Sequence, residues 1–239
     1  MTLLSPTDVE RTGNTSVFSD MNFNRLSVVM KERIFPEGSH LFWEGDPTDK
    51  LFYISKGRVK ITKSTDEGKE LIMYMYQAGD LVGNVDPFNQ GKHSFTAEVM
   101  EETEIGIVEQ KDLELLLCQH CDFSIEFMKW MGQHHRLTQT KFRDLMLYGK
   151  PGALCSTLIR LSNSYGEPHG EHTIINKKVT HTDLSNMIGA TRESVNRMLS
   201  DLRKKDAIEY EGGLIVIKDV AQLQEICHCE KCPLSICRI

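Results

Sequence analysis

Three features are scarce in this 239-residue chain: long apolar runs, export signals, and cysteines in its first half. No segment approaches the roughly 18 to 20 consecutive apolar residues that a membrane-spanning helix needs. The N-terminus carries neither a basic region nor an apolar region, so nothing marks the chain for export. We therefore expect a cytoplasmic protein with no membrane partner.

Cysteine is absent before Cys118 and is concentrated at the end of the chain. Cytoplasmic thiols are kept reduced, so clustered cysteines there are more often metal ligands or redox groups than structural disulfides. We therefore expect a metal site in residues 227–239, hereafter the cysteine tail. Its four cysteines are Cys227, Cys229, Cys232 and Cys237.

The other three cysteines carry a different expectation. Cys118-Gln119-His120-Cys121 imitates a Cys-x-x-Cys pair, but a single pair on a predicted helix favours two buried thiols. Cys155 lies in an apolar helical segment and is expected in the core.

Residues 32–108 contain short strand-like runs separated by turns that are rich in Gly, Asp and Pro. Leu51-Phe52-Tyr53-Ile54, for example, turns at Ser55-Lys56-Gly57 into the next apolar run. Short strands at this regular spacing predict a hairpin-built antiparallel sandwich, barrel or roll.

A helical period replaces the strand pattern from Asp112 onward. The long segment 123–148 carries a repeat at alternating spacings of four and three, which predicts a coiled-coil-like seam and hence a partner helix. Packing on the chain's own sheet is the alternative. Gly149-Lys150-Pro151-Gly152 then predicts a break and a hinge into a second domain. The seam consists of Phe127, Met131, His134, Thr138, Lys141 and Leu145.

The second domain begins with helical residues 153–163 and a polar loop at 164–170. Residues 177–205 then contain seven Lys and Arg against three acids, although the whole chain has a net charge of -6. A short helix, a turn at Gly189-Ala190-Thr191 and a second helix from Arg192 follow the spacing of a helix-turn-helix. Two apolar runs around Gly212-Gly213 predict a hairpin behind it, and a short helix at 219–226 leads into the cysteine tail.

The second helix of this motif has two unlike faces. Val195, Met198, Leu199 and Leu202 fall on one arc, and the opposite arc is polar. Arg and Asn pair bidentately with guanine and adenine, and Glu accepts from a cytosine amino group, so the polar arc is suited to reading DNA bases. An amphipathic helix with solvated charges is the alternative. The predicted base-reading residues are Arg192, Glu193, Asn196 and Arg197.

Four segments together resemble the Crp/Fnr family of transcription regulators: Gly57-Arg58-Val59-Lys60, Gly79-Asp80-Leu81-Val82-Gly83, the long helix, and residues 180–197. The resemblance covers about residues 20 to 218. It implies an α+β fold with a cyclic-nucleotide-binding-like antiparallel β-roll, a long dimerisation helix and a C-terminal winged helix-turn-helix domain. The implied organisation is a loosely ordered N-terminus at 1–20, a β-roll at 21–111, a linker and dimerisation helix at 112–149, a winged helix-turn-helix domain at 150–218, and a C-terminal helix with a metal-binding tail at 219–239.

The resemblance also implies a function: a homodimer that binds a palindromic operator in double-stranded DNA, with RNA polymerase as a further partner. Arg192, Glu193 and Arg197 match the recognition pattern of the cyclic AMP receptor branch, which implies a TGTGA-type half-site. The Fnr branch carries Ser where this chain has Asn196, so the two branches differ at that position. Thr180 and Thr191 stand where family members contact phosphate. No enzymatic activity is expected.

A cyclic nucleotide is disfavoured as the effector. Family members that bind one carry a Gly-Glu pair and an Arg-Ser pair, but this chain reads Gly83-Asn84-Val85-Asp86, and residues 91–97 lack arginine. A buried cyclic phosphate without a permanent cation is unfavourable, although Lys92 or His93 stands in reach as a substitute. A cupin-like metal enzyme is also disfavoured, because the histidines of the roll do not form a His-x-His set.

The spacing Cys229-x2-Cys232-x4-Cys237 leaves zinc, an iron-sulfur cluster and a redox dithiol open. The resemblance to the Gram-positive Fnr subgroup implies one [4Fe-4S] cluster per subunit. Its ligands would be these three cysteines and an aspartate of the dimer helix, best matched by Asp144, with Cys227 as the competing fourth ligand. The expected function is an oxygen- or redox-responsive regulator, an activator of anaerobic genes. The alternative is a Crp-like regulator with a small-molecule effector in the β-roll and a structural zinc (Zn) tail.

Overall fold

The computed structural model describes residues 13–83 and 91–239. By contacts, the chain divides into two compact units. The first comprises Met1–Lys60 and Tyr76–Trp130, and the second comprises Ile61–Met75 and Met131–Ile239. Within the described ranges, no helix is both long and apolar enough to cross a membrane.

The first unit is built mainly from antiparallel strands, as the turn spacing predicts. One sheet has the order β1-β8-β3-β6, and another has the order β2-β7-β4-β5. Strand β4 begins in the first unit and ends in the second, whereas β5 begins in the second unit and ends in the first. The strands are β1 Lys31–Phe35, β2 His40–Phe42, β3 Lys50–Lys56, β4 Arg58–Ser64, β5 Glu70–Gln77, β6 Leu81–Val82, β7 Thr96–Val99 and β8 Thr103–Glu109.

The turn between β3 and β4 depends on Gly57. Its φ is 95°, a left-handed value that favours glycine, and an added Cβ would lie 2.3 Å from Oγ1 of Thr103. The predicted turn at Ser55-Lys56-Gly57 is therefore confirmed, and its sharpness places Gly57 against Thr103 at the start of β8.

The core of the first unit joins this roll to helices. Helices α1 (Asp20–Val28), α2 (Gln110–Gln119) and the start of α3 (Cys121–Tyr165) cover it. Side chains from all of these elements form one apolar cluster, which includes Leu26, Leu51, Leu113 and Phe123. Residues 1–20 were expected to be loosely ordered. A 3-10 turn at Asn14–Val17 lies within this segment, and helix α1 begins at its last residue, Asp20. Residues 1–12 lie outside the described ranges.

Helix α3 buries part of the predicted seam and exposes the rest. Phe127 is buried in the core of the first unit, and Nζ of Lys141 donates to the carbonyl of Met73 and lies 4.8 Å from the centre of the Tyr74 ring. Burial lowers the pKa of Lys141 to about 7. The proposed seam is thus wrong at these positions, because this face packs on the chain's own strands. Met131 and Leu145 of the predicted seam are exposed, and the other exposed apolar residues of α3 include Ile125, Met128, Phe142 and Met146.

The predicted break in α3 is confirmed at Gly149, whose φ of 60° and ψ of -165° lie outside helical values. Pro151 follows in the first turn of the continuing helix, where a missing amide is tolerated. An added Cβ on Gly152 would lie 2.3 Å from Cβ of Tyr148, so the two sides of the kink approach closely. We call residues 131–148 the first arm and residues 150–165 the second arm of α3.

The second unit carries the helix-turn-helix and a four-stranded sheet of order β11-β12-β10-β9. Residues 166–169, expected to belong to a polar loop, instead form an edge strand, β9, so that interpretation is wrong. Pro168 lacks an amide, and an edge strand is where a sheet tolerates it. The remaining elements are β9 Gly166–His169, β10 His172–Ile175, α4 His181–Ile188, α5 Arg192–Lys204, β11 Ile208–Glu211, β12 Leu214–Ile217 and α6 Val220–Ile226.

Candidate DNA interface and cysteine site

The helix-turn-helix is fixed by its caps and by one left-handed glycine. Thr180 and Asp183 form a reciprocal capping box at the start of α4. Gly189 ends α4 with φ 60° and ψ 36°, which is left-handed helical geometry. Thr191 then caps α5 by accepting from the amide of Ser194 at 3.2 Å. The short local sequence therefore sets the entry and exit of both helices.

Helix α5 has the two faces that its sequence predicts. Val195, Leu199 and Leu202 are buried in the second unit, which anchors the helix. Arg192, Glu193, Asn196 and Arg197 are all exposed on the other side. The predicted base-reading set is thus held on a rigid element with its polar groups facing solvent.

Glu193 is suited to accept hydrogen bonds. Its pKa is held below the usual range by its own backbone amide first and by the Thr191 hydroxyl next, with Arg192 and Arg197 adding smaller effects. An ionised carboxylate is an acceptor only, so near neutral pH this side chain matches a cytosine amino group better than a base acceptor.

The two threonines predicted to contact phosphate are engaged within the protein. Oγ1 of Thr180 accepts from the Asp183 amide at 3.0 Å and donates to the Asp183 carboxylate at 2.7 Å. Oγ1 of Thr191 is the cap of α5. Their observed role is to cap the helices, and contact with phosphate stays a prediction.

The cysteine tail returns to the arms of α3. Asn163 of the second arm donates to the carbonyl of Cys237 at 2.7 Å, and the amide of Ile239 donates to the Ser164 hydroxyl at 3.1 Å. His228 stacks on Tyr148 of the first arm, with 4.6 Å between the ring centres. The tail is therefore packed on both sides of the kink.

Three of the tail's cysteines are partly exposed and influence one another. Burial raises the pKa of Cys237, Arg160 opposes that rise, and the nearby thiols of Cys229 and Cys232 add to it. The amide of Lys231 donates to Sγ of Cys229 at 3.4 Å. The predicted trio of sulfur ligands thus lies in one neighbourhood.

Cys227 differs from these three. It is buried, and its thiol lies 3.7 Å from the carbonyl of Gln224 at the end of α6. Burial raises its pKa to about 12, with Cys229 and Asp144 adding to the rise. A thiol held in this way is harder to deprotonate, and ligation requires the thiolate.

Asp144 is close enough to affect this group but is not a solvated acid. The residue is 2% exposed, and both carboxylate oxygens are occupied. Oδ1 accepts from Nε and Nη2 of Arg143, and Oδ2 accepts from the Ser156 hydroxyl and from Nη2 of Arg160. The Asp144 carboxylate therefore faces the protein interior and not solvent.

Three thiols with a neighbouring carboxylate suit a sulfur-rich metal centre in the kind of donor that they supply. Within residues 13–83 and 91–239, no three His, Cys, Asp or Glu residues are grouped closely enough to hold a metal ion. To hold a metal ion, the thiols and Asp144 would therefore have to move closer together, and Asp144 would have to exchange its present partners.

Sequence reasoning missed Arg160 and Ser156, which hold Asp144. Arg160 is buried in an otherwise apolar helical run, Leu158-Ile159-Arg160-Leu161. An arginine is rarely buried without a partner, so its position in such a run is the signal that points to a buried anion. Cys155 is buried as expected, whereas Cys118 and Cys121 are both exposed, so their expected burial is wrong. These two thiols lie at neighbouring helix ends, where little of the chain covers them.

In the first unit, His93 is a poor substitute for the missing arginine. Its ring stacks on Phe42 with 3.6 Å between the ring centres, and burial lowers its pKa. A neutral imidazole does not supply the permanent cation that a cyclic phosphate needs. Lys92 is exposed. The corner at Asn84-Val85-Asp86 lies outside the described residues.

An antiparallel roll followed by a long helix and a winged helix-turn-helix defines a DNA-binding protein with a sensor-like domain. Residues 32–120 match the family model described as "Cyclic nucleotide-binding domain", and residues 152–226 match "Crp-like helix-turn-helix domain". Two solved structures share the fold. FixK2 from Bradyrhizobium japonicum has a TM-score of 0.71 at 18% identity, covering 83% of this chain and 97% of its own. A CooA mutant from Carboxydothermus hydrogenoformans has a TM-score of 0.72 at 19% identity, covering 84% and 89%.

Curated relatives resolve the class further. An "Anaerobic regulatory protein" of Bacillus subtilis (strain 168) is 40% identical over 231 residues, which are 96% of this chain and 97% of that protein. A "CRP-like cAMP-activated global transcriptional regulator" of Mycobacterium tuberculosis is 26% identical over 189 residues, covering 79% and 84%. The chain belongs to the Crp/Fnr family of transcription regulators. It is a DNA-binding regulator and not an enzyme.

Proposed function

We propose that this regulator responds to oxygen through a [4Fe-4S] cluster held by Cys229, Cys232, Cys237 and Asp144, one cluster per subunit. The observation that carries the proposal is the return of the cysteine tail to the kink of α3, beside a buried aspartate. The 40% identical relative is named as an anaerobic regulator, which supports the same reading. The expected output is activation of anaerobic genes, with RNA polymerase as a partner.

The DNA target in this proposal is a palindrome with TGTGA-type half-sites, bound by a homodimer. The exposed polar face of α5 supports base reading by Arg192, Glu193, Asn196 and Arg197. Exposed apolar side chains on the long helix support a partner helix. Phe142 is 65% exposed and Met146 is 63% exposed, and residues four apart share one helix face.

A bound cluster would supply a centre that oxygen can dismantle, and an oxygen ligand in a sulfur-rich set favours that lability. The chain's own residues would translate its loss. Tyr148 and His228 connect the tail to the first arm, and Asn163 connects it to the second arm. A change in the tail is thereby passed to the kink that precedes the helix-turn-helix.

Anaerobic reconstitution with iron and sulfide tests the cofactor. We expect a brown protein with a broad visible absorbance, stoichiometric iron and sulfide, and an affinity for a TGTGA palindrome that falls on exposure to air. Cys232→Ser should lose the absorbance, whereas the exposed-thiol control Cys118→Ser should keep it. Tight zinc binding together with air-insensitive DNA binding would support the zinc-tail alternative and contradict the proposal.

The fourth ligand is tested separately. Asp144→Asn keeps the size of the side chain but removes the negatively charged carboxylate that would bind iron. The fraction of cluster retained during anaerobic gel filtration should therefore fall. Cys227→Ser should change retention little, because that thiol is buried beside the carbonyl of Gln224 at the end of α6, whereas the other three thiols of the tail are partly exposed. The reverse pattern would assign the fourth position to Cys227.

A further inference from the structure

Arg160 connects three segments of the second unit through one buried guanidinium, with 4% of its side chain exposed. Its Nη2 donates to Oδ2 of Asp144 at 3.0 Å and to Oγ1 of Thr140 at 3.1 Å, both on the first arm. Nε donates to the Ser156 hydroxyl at 3.3 Å on the second arm. Nη1 donates to the carbonyl of Ile236 in the tail at 3.1 Å. A planar guanidinium can serve these directions at once, which an ammonium cannot.

Asp144 is the anion that pairs with Arg160. It lies before the kink at Gly149, whereas Ser156 and Arg160, which bind its Oδ2, lie after it. Arg143 also binds the carboxylate and pairs with Glu230 of the tail, but it belongs to the first arm and makes no bond to the second. Among the described residues, the carboxylate is therefore bonded to the second arm through Ser156 and Arg160.

The tail is held by the same guanidinium, since Ile236 directly precedes Cys237 and is 1% exposed. The carbonyl of Ile226 lies 3.6 Å from the position that a Cβ on Gly152 would occupy, so the end of α6, directly before the tail, also approaches the kink. Loss of Arg160 would therefore weaken the attachment of the tail and the bond across the kink together.

We propose that Arg160 and Ser156 form a latch that holds Asp144 across the kink, and the tail against it, whenever no metal is bound. The second half of the proposal rests on the proposed function: Asp144 has to leave this latch to act as a ligand. Leaving would separate a buried ion pair, which is unfavourable, so the latch competes with ligation and makes any bound metal easier to lose. Arg160 is thus a positioning residue: it binds the Asp144 carboxylate, which a metal would otherwise bind.

The latch is tested in the metal-free, full-length protein by hydrogen exchange. We expect Arg160→Gln to speed amide exchange at residues 150–156 and 234–239 by about tenfold or more, because local opening no longer breaks the shared hydrogen bonds. Arg143→Gln is the matched control at residues 150–156, since it also removes an arginine from Asp144 but makes no bond to the second arm; its other partner is Glu230 of the tail. Unchanged protection in Arg160→Gln, or an equal loss at 150–156 in Arg143→Gln, would overturn the latch.

Ser156→Ala keeps the test decisive if Arg160→Gln does not fold. Removing this hydroxyl deletes one donor to Oδ2 of Asp144 and leaves the contact between Arg160 and the tail. Exchange should therefore rise at residues 150–156 and stay unchanged at 234–239. A rise at neither segment contradicts the role of Ser156 as part of the latch.

Competition for Asp144 is tested by loading the proteins anaerobically with iron and sulfide and following the decay of visible absorbance after a chelator is added. Ser156→Ala and Arg160→Gln should lose absorbance about threefold more slowly or slower still, because Asp144 then has fewer competing donors. Equal or faster decay would refute the competition. If the wild type takes up no iron and sulfide at all, the proposed function fails, and the exchange experiment still decides whether the latch exists.

Discussion

Helix α5 and the surroundings of Asp144 belong to the same unit, but α5 exposes its charged side chains to solvent whereas those around Asp144 are buried and paired. Arg192 and Arg197 are exposed on a helix that is anchored by its apolar face. Asp144 and Arg160 are buried, and both carboxylate oxygens are already engaged. The first arrangement is ready to meet a ligand, whereas the second has to rearrange before it can do so. A sensor needs the second kind, because only a group with two alternative sets of partners can switch.

The largest effect that separates the two regions is expected on stability. Asp144→Ala leaves Arg160 buried without its anion, and breaking a buried pair in this way costs about 3 to 5 kcal/mol of unfolding free energy. Asp201→Ala is the control, because its pair with Lys204 on α5 is exposed and contributes about 0 to 1 kcal/mol. Urea unfolding of the metal-free proteins measures both. Equal losses would remove the distinction between the two regions.

On the DNA side, Arg197→Ala should reduce operator affinity by roughly 1 to 3 kcal/mol and relax the preference at one base pair, since a bidentate base contact is lost. Lys204→Ala, at the far end of the same helix, should affect all sequences alike. Fluorescence anisotropy with the palindrome and single-base variants measures the difference. If Arg197→Ala weakens matched and mismatched sites equally, the residue contacts phosphate rather than a base.

The same contrast explains what sequence reasoning could reach. The helix-turn-helix was predictable because its signals are local: Gly189 and Thr191 mark the turn between two adjacent helices. The strands and the break at Gly149 were predictable for the same reason, since turn residues mark them directly.

The partners of Asp144 were out of reach because they depend on the kink and on the return of the tail. Ser156 and Arg160 lie 12 and 16 residues from Asp144, and Ile236 lies 76 residues from Arg160. No period links such positions. Asp144 itself emerged from a family resemblance rather than from its local sequence.

The buried face of α3 was equally hard to predict from the sequence. Lys141 was assigned to a seam, but its ammonium group reaches the Met73 carbonyl, because a long apolar stem allows a charged end to be buried against a carbonyl and an aromatic ring. The spacing of four and three is shared by both faces of α3, so only the packing of the β5 strand decides between them.

A smaller effect tests the local character of the DNA-binding motif. Thr180→Ala removes the reciprocal capping box of α4 and should lower the unfolding free energy of the second unit by about 1 kcal/mol. Thr182→Ala makes the same chemical change at an exposed position inside α4 and should be neutral or stabilising by a few tenths of a kcal/mol. Thermal unfolding followed by circular dichroism compares them. A large loss in both variants would point to a role beyond capping.

The smallest effect concerns the thiols, and it separates cysteines by burial rather than by position in the chain. Cys118→Ser and Cys121→Ser should each change the unfolding free energy by less than about 0.5 kcal/mol, because both side chains are exposed. In the wild type these two thiols should react first with a maleimide. Cys155 and Cys227 should react last, because both are buried and burial raises each pKa to about 12. Mass spectrometry of tryptic peptides gives the order. Early labelling of Cys227 would mean that the tail leaves the arms of α3 in the metal-free protein, and the latch around Arg160 would then be too weak to hold it.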